Sequence, residues 1–193
     1  MKVYEKPRYD LPTLVKDVLH VGLRLPRLIQ AEFAKRIDSA FREKIMLAVT
    51  NVNDCRYCRF VHTMLARALG VSEDEIVSIW NNELRGVDEY QRVAIEYARH
   101  YTESKRRPSA EMERRLEDFY GRDKAHDIRL YIRAILIGNL TGNTFDALLG
   151  RMKGQRIMQG NLLFELWLSS LVWPVLLPQT ILINARRRLN PAA

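Results

Sequence analysis

The sequence predicts an all-α protein, a helical bundle with an extra apolar helical segment at its C-terminal end. Three observations predict it. Apolar residues recur at three- and four-residue spacings over nearly the whole chain. Residues of capping type stand where those periodic runs begin. No window shows sustained apolar–polar alternation between hairpin turns, so a sheet is not expected.

The first run, 11–24, places Leu14, Val15, Val18, Leu19 and Val21 on one side, and Gly22 with Pro26 ends it. A second run near 27–37 carries Leu28, Ile29 and Phe33. From Ser39, SAFREKIMLAVTNVN repeats apolar residues at Phe41, Ile45, Ala48, Val49 and Val52. Asn53 or Asp54 is the expected N-cap of a helix over 54–69 that stops at Gly70. Ser72 with Glu75 has capping-box spacing for a short helix to about Trp80. Asp88 with Gln91 repeats that spacing for a helix to about Ser104, Pro108-Ser109 opens the next, and Asp123 opens a longer one. Within the latter, Asn139–Asn143 (NLTGN) is expected to cap or turn the helix, without a chemical role.

These elements define an expected helical domain over 1–155, followed by an apolar appendage over 156–193. Residues 151–160 are basic and contain two glycines, as a linker would. Between Glu165 and Arg186 no residue is charged, and the apolar side chains point all round a helical wheel, so this segment must bury itself in protein or lipid. Leu166 to Ala185 is 20 residues, near the length that crosses a bilayer, but Pro174 and Pro178 interrupt it. The expected arrangement is two short helices packed on the domain or on a neighbouring subunit, with membrane contact through 161–185 as the competing one. The flanks Arg151, Lys153, Arg156 and Arg186–Arg188 are positive at both ends and give no orientation.

Composition narrows the function classes. With 47% hydrophobic residues the chain is not a disordered one, and two cysteines cannot staple a small secreted scaffold. The start of the chain lacks the apolar core of a signal peptide, so a cytoplasmic location is expected, with membrane association if the tail meets lipid. Lys and Arg exceed Asp and Glu by 31 to 23, a net charge of +8. The excess is dispersed among Lys105-Arg106-Arg107, Arg114-Arg115 and Arg186-Arg187-Arg188, with no nucleic-acid-reading motif, so no nucleic-acid partner is expected.

Both cysteines lie in one motif, Cys55-Arg56-Tyr57-Cys58, with His62 four residues on. At about 100° per residue, Cys55, Cys58 and His62 share one helix face. The i,i+3 spacing keeps the sulfurs close enough for a disulfide with modest adjustment. Position near a helix N-terminus favours a thiolate at Cys55, whereas proximity to an imidazole favours Cys58, and spacing leaves this contest open. Glu43, on the preceding helix, returns beside this group if the two helices pack antiparallel. A Glu–His–Cys relay then activates a nucleophile. The competing readings are two core cysteines, a thioredoxin-type motif whose βαβ context is missing, and a zinc site. Zinc would need a fourth ligand from Glu43, His20, His100 or His126, and no metal or other cofactor is expected.

Glu43, eleven intervening residues, then Cys55-x-x-Cys58-x-x-x-His62 resembles the signature of the AhpD-like branch of the carboxymuconolactone decarboxylase superfamily. The stretch FREKIMLAVTNVNDCRYCRFVHTMLARALGVSEDEI is similar to that family's core helix pair and the capped helix after it. The likeness weakens through 85–150 and does not cover the tail beyond about 155. It implies an all-α fold, assembly into homo-oligomers, and thiol-dependent reduction of hydroperoxides as a peroxiredoxin-like alkylhydroperoxidase. By this resemblance Cys58 is peroxidatic, Cys55 resolves its sulfenic acid as a disulfide, and Glu43 with His62 forms the proton relay. An external dithiol, thioredoxin-like or lipoyl-bearing, is the implied reductant. Tyr57 stands where the AhpD proteins proper carry a histidine. Members that decarboxylate a lactone generally lack the cysteine pair. That activity, and a membrane-associated or partner-binding role with redox-sensing thiols, are the alternatives.

Overall fold

Helix α3 (Ser39–Asn53) explains the architecture, because it buries residues on almost every side: Phe41, Ile45, Leu47, Ala48 and Val49 are all inside. A helix buried on nearly every side must be wrapped by others. The computed structural model describes residues 3–158 and 160–189, with side chains to 185, and shows that wrapping. Around α3 lie α4 (Arg56–Ala68), α5 (Glu73–Trp80), α6 (Glu89–Glu103) and the long α7 (Ala110–Met152). Helices α1 (Leu11–Gly22) and α2 (Leu25–Phe33) pack on α7, as does the last helix, α8 (Leu162–Leu189), which also reaches α4. The fold is all-α. Among the described residues, β structure amounts to Val3–Tyr4 (β1) pairing in parallel with Arg156–Ile157 (β2).

The capping residues act largely as the sequence implies. Asp10, Asp38, Ser72, Asp88 and Ser109 each accept a backbone N–H at a helix start, and Ser72 with Glu75 forms the full reciprocal box. Asp88 and Gln91 do not, because the Gln91 side chain accepts from Lys44 Nζ at 2.8 Å instead. Neither Asn53 nor Asp54 caps α4. Asn53 ends α3, Asp54 turns the chain in the left-handed region (φ 49°), and the cap is Cys55 itself. The break before the second half of α7 falls at Gly121 (φ 75°, ψ 161°) rather than at Asp123.

Two expectations are corrected. The NLTGN segment does not turn the chain, since α7 runs straight through it with Asn139, Gly142 and Asn143 buried. The Asn143 amide nitrogen ties the core together, its Nδ2 donating to Asn53 O at 2.8 Å and Pro7 O at 3.0 Å. The tail is one helix, not two, with Pro174 and Pro178 inside it. Its inner face holds it together: Leu168 packs with Tyr9, Leu14 and Leu140, and Ile183 joins the main core. Near its start Glu165 is buried and paired with Arg151 (Nε–Oε2 2.7 Å). Over Leu162–Ala185 this helix is long and apolar enough to cross a membrane. The side chains of Arg186–Arg188 lie outside the described residues.

Candidate functional site

The reversal at Asp54 sets α4 antiparallel against α3, and that geometry assembles the site. Glu43 on α3 and His62 on α4, nineteen residues apart, meet with Oε2 2.6 Å from Nδ1. Glu43 is only 2% exposed, and its other oxygen lies 3.4 Å from both Nε and Nη2 of Arg42. A carboxylate in this position pairs with the Nδ1–H tautomer, which leaves Nε2 as the nitrogen able to take or give a proton. A carboxylate that fixes tautomer and ring orientation is the usual partner of a working histidine.

The two free cysteines occupy different environments. Cys55, as N-cap of α4, is fully buried, and its Sγ accepts the backbone N–H of Cys58 at 3.4 Å. A hydrogen bond from the Cys58 thiol lowers the Cys55 pKa from the ordinary thiol range against the opposing effect of burial. The N–H groups of Cys58 and Tyr57 and the charge of Lys6 add to the lowering. Cys58 is pushed well above that range, first because its proton is shared with Cys55 and then by burial. Of the two sulfurs, Cys55, at the helix terminus, is thus the one whose thiolate is favoured, in the direction of the dipole argument. Access runs the other way. Cys58, 9% exposed, lines a cavity of about 600 Å³ together with His62, and Cys55 does not.

That cavity is almost wholly apolar and is built from four helices: α1 (Leu14, Val18), α4, α7 (Ile135, Gly138) and α8. Two glycines on successive turns of α7 let it approach the sulfurs. A Cβ on Gly142 would lie 2.8 Å from Cys55 Sγ and 3.2 Å from Tyr57 Cδ2, whereas one on Gly138 would sit 3.6 Å from Cys58 Sγ. Tyr57, also on the cavity wall, ties the start of α4 to α8. Its hydroxyl accepts from Arg56 Nη2 at 2.7 Å and lies 3.1 Å from Thr180 Oγ1 of α8.

The remaining histidines are elsewhere. His100 Nε2 accepts the Ser109 N–H at 3.1 Å, while burial lowers the pKa of His20 and His126, and none of the three lines the cavity. Among the described residues, no group of three or more His, Cys, Asp or Glu is arranged to hold a metal ion.

A profile described as the carboxymuconolactone decarboxylase family matches residues 22–99, which contain Glu43, Cys55, Cys58 and His62. The chain is also 32% identical over 103 residues to the uncharacterized protein YdfG of Bacillus subtilis (strain 168), covering 51% of this chain and 69% of that one. The chain belongs to the carboxymuconolactone decarboxylase family. That family includes AhpD-like peroxidases and lactone decarboxylases. No solved structure matches the chain. The matched segment contains Glu43, Cys55, Cys58 and His62 but none of the lining residues of α1, α7 or α8, so three walls of the cavity lie outside it.

Sequence reasoning missed those walls. Gly138 and Gly142 offered a signal, being two glycines four apart in an otherwise apolar helix, a pattern that admits close approach. Tyr57 and Thr180, 123 positions apart, offered none.

Proposed function

We propose that the chain is a thiol-dependent peroxidase that reduces hydroperoxides through a dithiol–disulfide cycle at Cys58 and Cys55. One observation carries this reading: the only cysteine facing the cavity shares it with a carboxylate-oriented histidine and has the second sulfur against its own N–H. Cys58 loses its proton to His62 and attacks the O–O bond. The sulfur gains the terminal oxygen as a sulfenic acid, and the alkoxide leaves as the alcohol after taking a proton. The Cys55 thiolate then attacks the sulfenic sulfur, forming the disulfide and releasing hydroxide, which is protonated to water. A lowered pKa suits Cys55 to this second attack, because a buried resolving sulfur must already be a thiolate when the sulfenic acid appears. The chain has no third cysteine, so a separate dithiol returns both sulfurs to thiols and leaves as its own disulfide. By family resemblance that dithiol is thioredoxin-like or lipoyl-bearing.

The test is hydroperoxide consumption with dithiothreitol by wild type, Cys58→Ser and Cys55→Ser. Loss of turnover in Cys58→Ser, and single-turnover oxidation trapped as sulfenic acid in Cys55→Ser, is the expected pattern. Undiminished turnover in both variants would overturn the reading.

The exposed apolar side chains of α1 (Val18, Leu19), α2 (Ile29, Phe33) and α8 (Leu171, Val175) are more numerous than scattered exposure explains. We assign them to contact with further copies of the chain, in keeping with the family. Light scattering tests this: a homo-oligomer is expected, and a monomer that floats with phospholipid vesicles would replace it with a membrane-facing role.

A further inference from the structure

We propose that α8 docks this protein on a bilayer carrying anionic phospholipid, lying in the plane of the headgroups with one apolar strip turned into the lipid. At about 100° per residue, Leu163, Leu166, Ser170, Trp173, Leu177 and Ile181 fall within an arc of about 80° on this helix. The five apolar side chains are exposed, from 38% at Leu177 to 78% at Leu163. Ser170, the polar member, already donates its hydroxyl to Trp167 O at 2.7 Å. Leu171 and Val175, assigned above to further copies of the chain, lie outside the arc, on the side that meets α1 across the cavity. None of the strip's residues lines the cavity beside Cys58, so docking and the peroxidase reading stand apart.

Charge decides between lipid and a second copy as the occupant of the strip. No residue between Glu165 and Arg186 is charged, and positive residues stand at both ends of the helix. Lys153 and Arg156 precede it, and Arg186, Arg187 and Arg188 follow the apolar run in its last turn. Pairing two copies of the strip, parallel or antiparallel, sets a positive end against a positive end. Anionic headgroups meet both ends with opposite charge. The acids near the start of α8 do not cancel this. Glu165 is buried against Arg151, while Glu5 and Asp10 share their hollow with Lys6, Arg8 and Lys105. Trp173 adds an indole, a ring that favours the headgroup level of a membrane.

The inner face of α8 sets the in-plane orientation. It is fastened to the domain at Glu165 by Arg151, at Leu168, at Thr180 Oγ1, 3.1 Å from Tyr57 OH, and at Ile183. Crossing the bilayer would surrender all four contacts, a buried ion pair among them. Lying on the bilayer keeps all four and still removes the strip from water.

The experiment is flotation of the full-length protein at low salt with mixed phosphatidylcholine–phosphatidylglycerol vesicles and with phosphatidylcholine vesicles. Wild type should float with the mixed vesicles and bind phosphatidylcholine alone at least tenfold more weakly. Replacing Arg186, Arg187 and Arg188 by Gln should weaken binding about a hundredfold, at about fivefold per charge near an anionic surface. Leu177→Asp with Ile181→Asp should abolish flotation while hydroperoxide turnover and the mass by light scattering keep their wild-type values. Should circular dichroism show that the aspartates unfold the helix, Leu177→Ser with Ile181→Ser takes their place. A sodium carbonate wash should release the bound protein. Absence of flotation by wild type, equal binding to both vesicles, undiminished binding after either set of substitutions, or retention through the wash overturns in-plane docking. A fall in mass of the vesicle-free Leu177/Ile181 variant gives the strip to a second copy and overturns it too. Flotation by a wild type that turns over no hydroperoxide overturns the peroxidase reading alone.

Discussion

Gly142→Ala should destabilise the protein although it replaces a mid-helix glycine with the best helix former. Propensity alone favours the change by about 1 kcal/mol. Against it, the new methyl would sit 2.8 Å from Cys55 Sγ and must retreat to at least 3.4 Å for ordinary contact. The sulfur cannot yield freely, because its position caps α4, and Tyr57 Cδ2 at 3.2 Å closes the other side. Overpacking of this kind costs about 1–3 kcal/mol, and loss of the cap adds about 1. The net is a loss of about 1–3 kcal/mol, or a fall in Tm of about 3–10 °C for a chain of this size. Gly138→Ala, one turn earlier, is the internal control. Its methyl meets Cys58 Sγ at 3.6 Å and Ile135 Cδ1 at 3.9 Å, both ordinary contacts, so the propensity gain survives and Tm should rise by about 2–4 °C. Differential scanning calorimetry of the reduced proteins decides it. Two shifts of the same sign, or a Gly142→Ala protein as stable as wild type, would refute the steric argument.

Thiolate absorbance at 240 nm should show a first titration below the ordinary thiol range in wild type, and Cys58→Ala should move it upward, since the Cys58 hydrogen bond is the largest cause of the lowering. The sign for stability follows: a Cys55 pKa depressed by folding stabilises the native state above the unfolded value of about 8.5, and that contribution is lost as pH falls through the folded pKa. Comparing the Tm of wild type and Cys55→Ser across this window measures it. Glu43→Gln, by exchanging the carboxylate at 2.6 Å for a neutral amide, should lower peroxide turnover about 10- to 100-fold; turnover within twofold of wild type would remove Glu43 from the relay. Glu165→Ala breaks the paired anchor at the start of α8 and should expose residues beyond 160 to limited proteolysis before the rest of the chain is cut. An unaltered digestion pattern would mean that α8 is held by its apolar face alone.

What the sequence revealed, and what it hid, divides by the range of the forces involved. Helix starts at Ser72 and Ser109 were legible because a cap is a local event, decided within about four residues. The contact between Glu43 and His62 was within reach too, since two adjacent helices joined by a tight turn must run antiparallel. Cys55 as a cap was not, because a sulfur is a weaker acceptor than the Asn53 or Asp54 oxygens beside it, and the chain chose it only once Asp54 took up the left-handed turn. The continuity of α8 was hidden for the opposite reason. Two prolines argue locally for interruption, and only the distant partners Leu14, Leu140 and Arg151 outweigh them.

The cap at Cys55 also bears on the reduction step. In the proposed cycle the sulfur that receives the Cys58 N–H in the dithiol is one of the two joined in the disulfide, so each oxidation would weaken the acceptor that finishes the first turn of α4. The dithiol thus keeps a helix-end hydrogen bond that the disulfide surrenders, worth about 1 kcal/mol. For a two-electron couple that raises the reduction potential by about 20 mV. In the proposed cycle the fold itself would lean toward the dithiol and ease its restoration by an external dithiol.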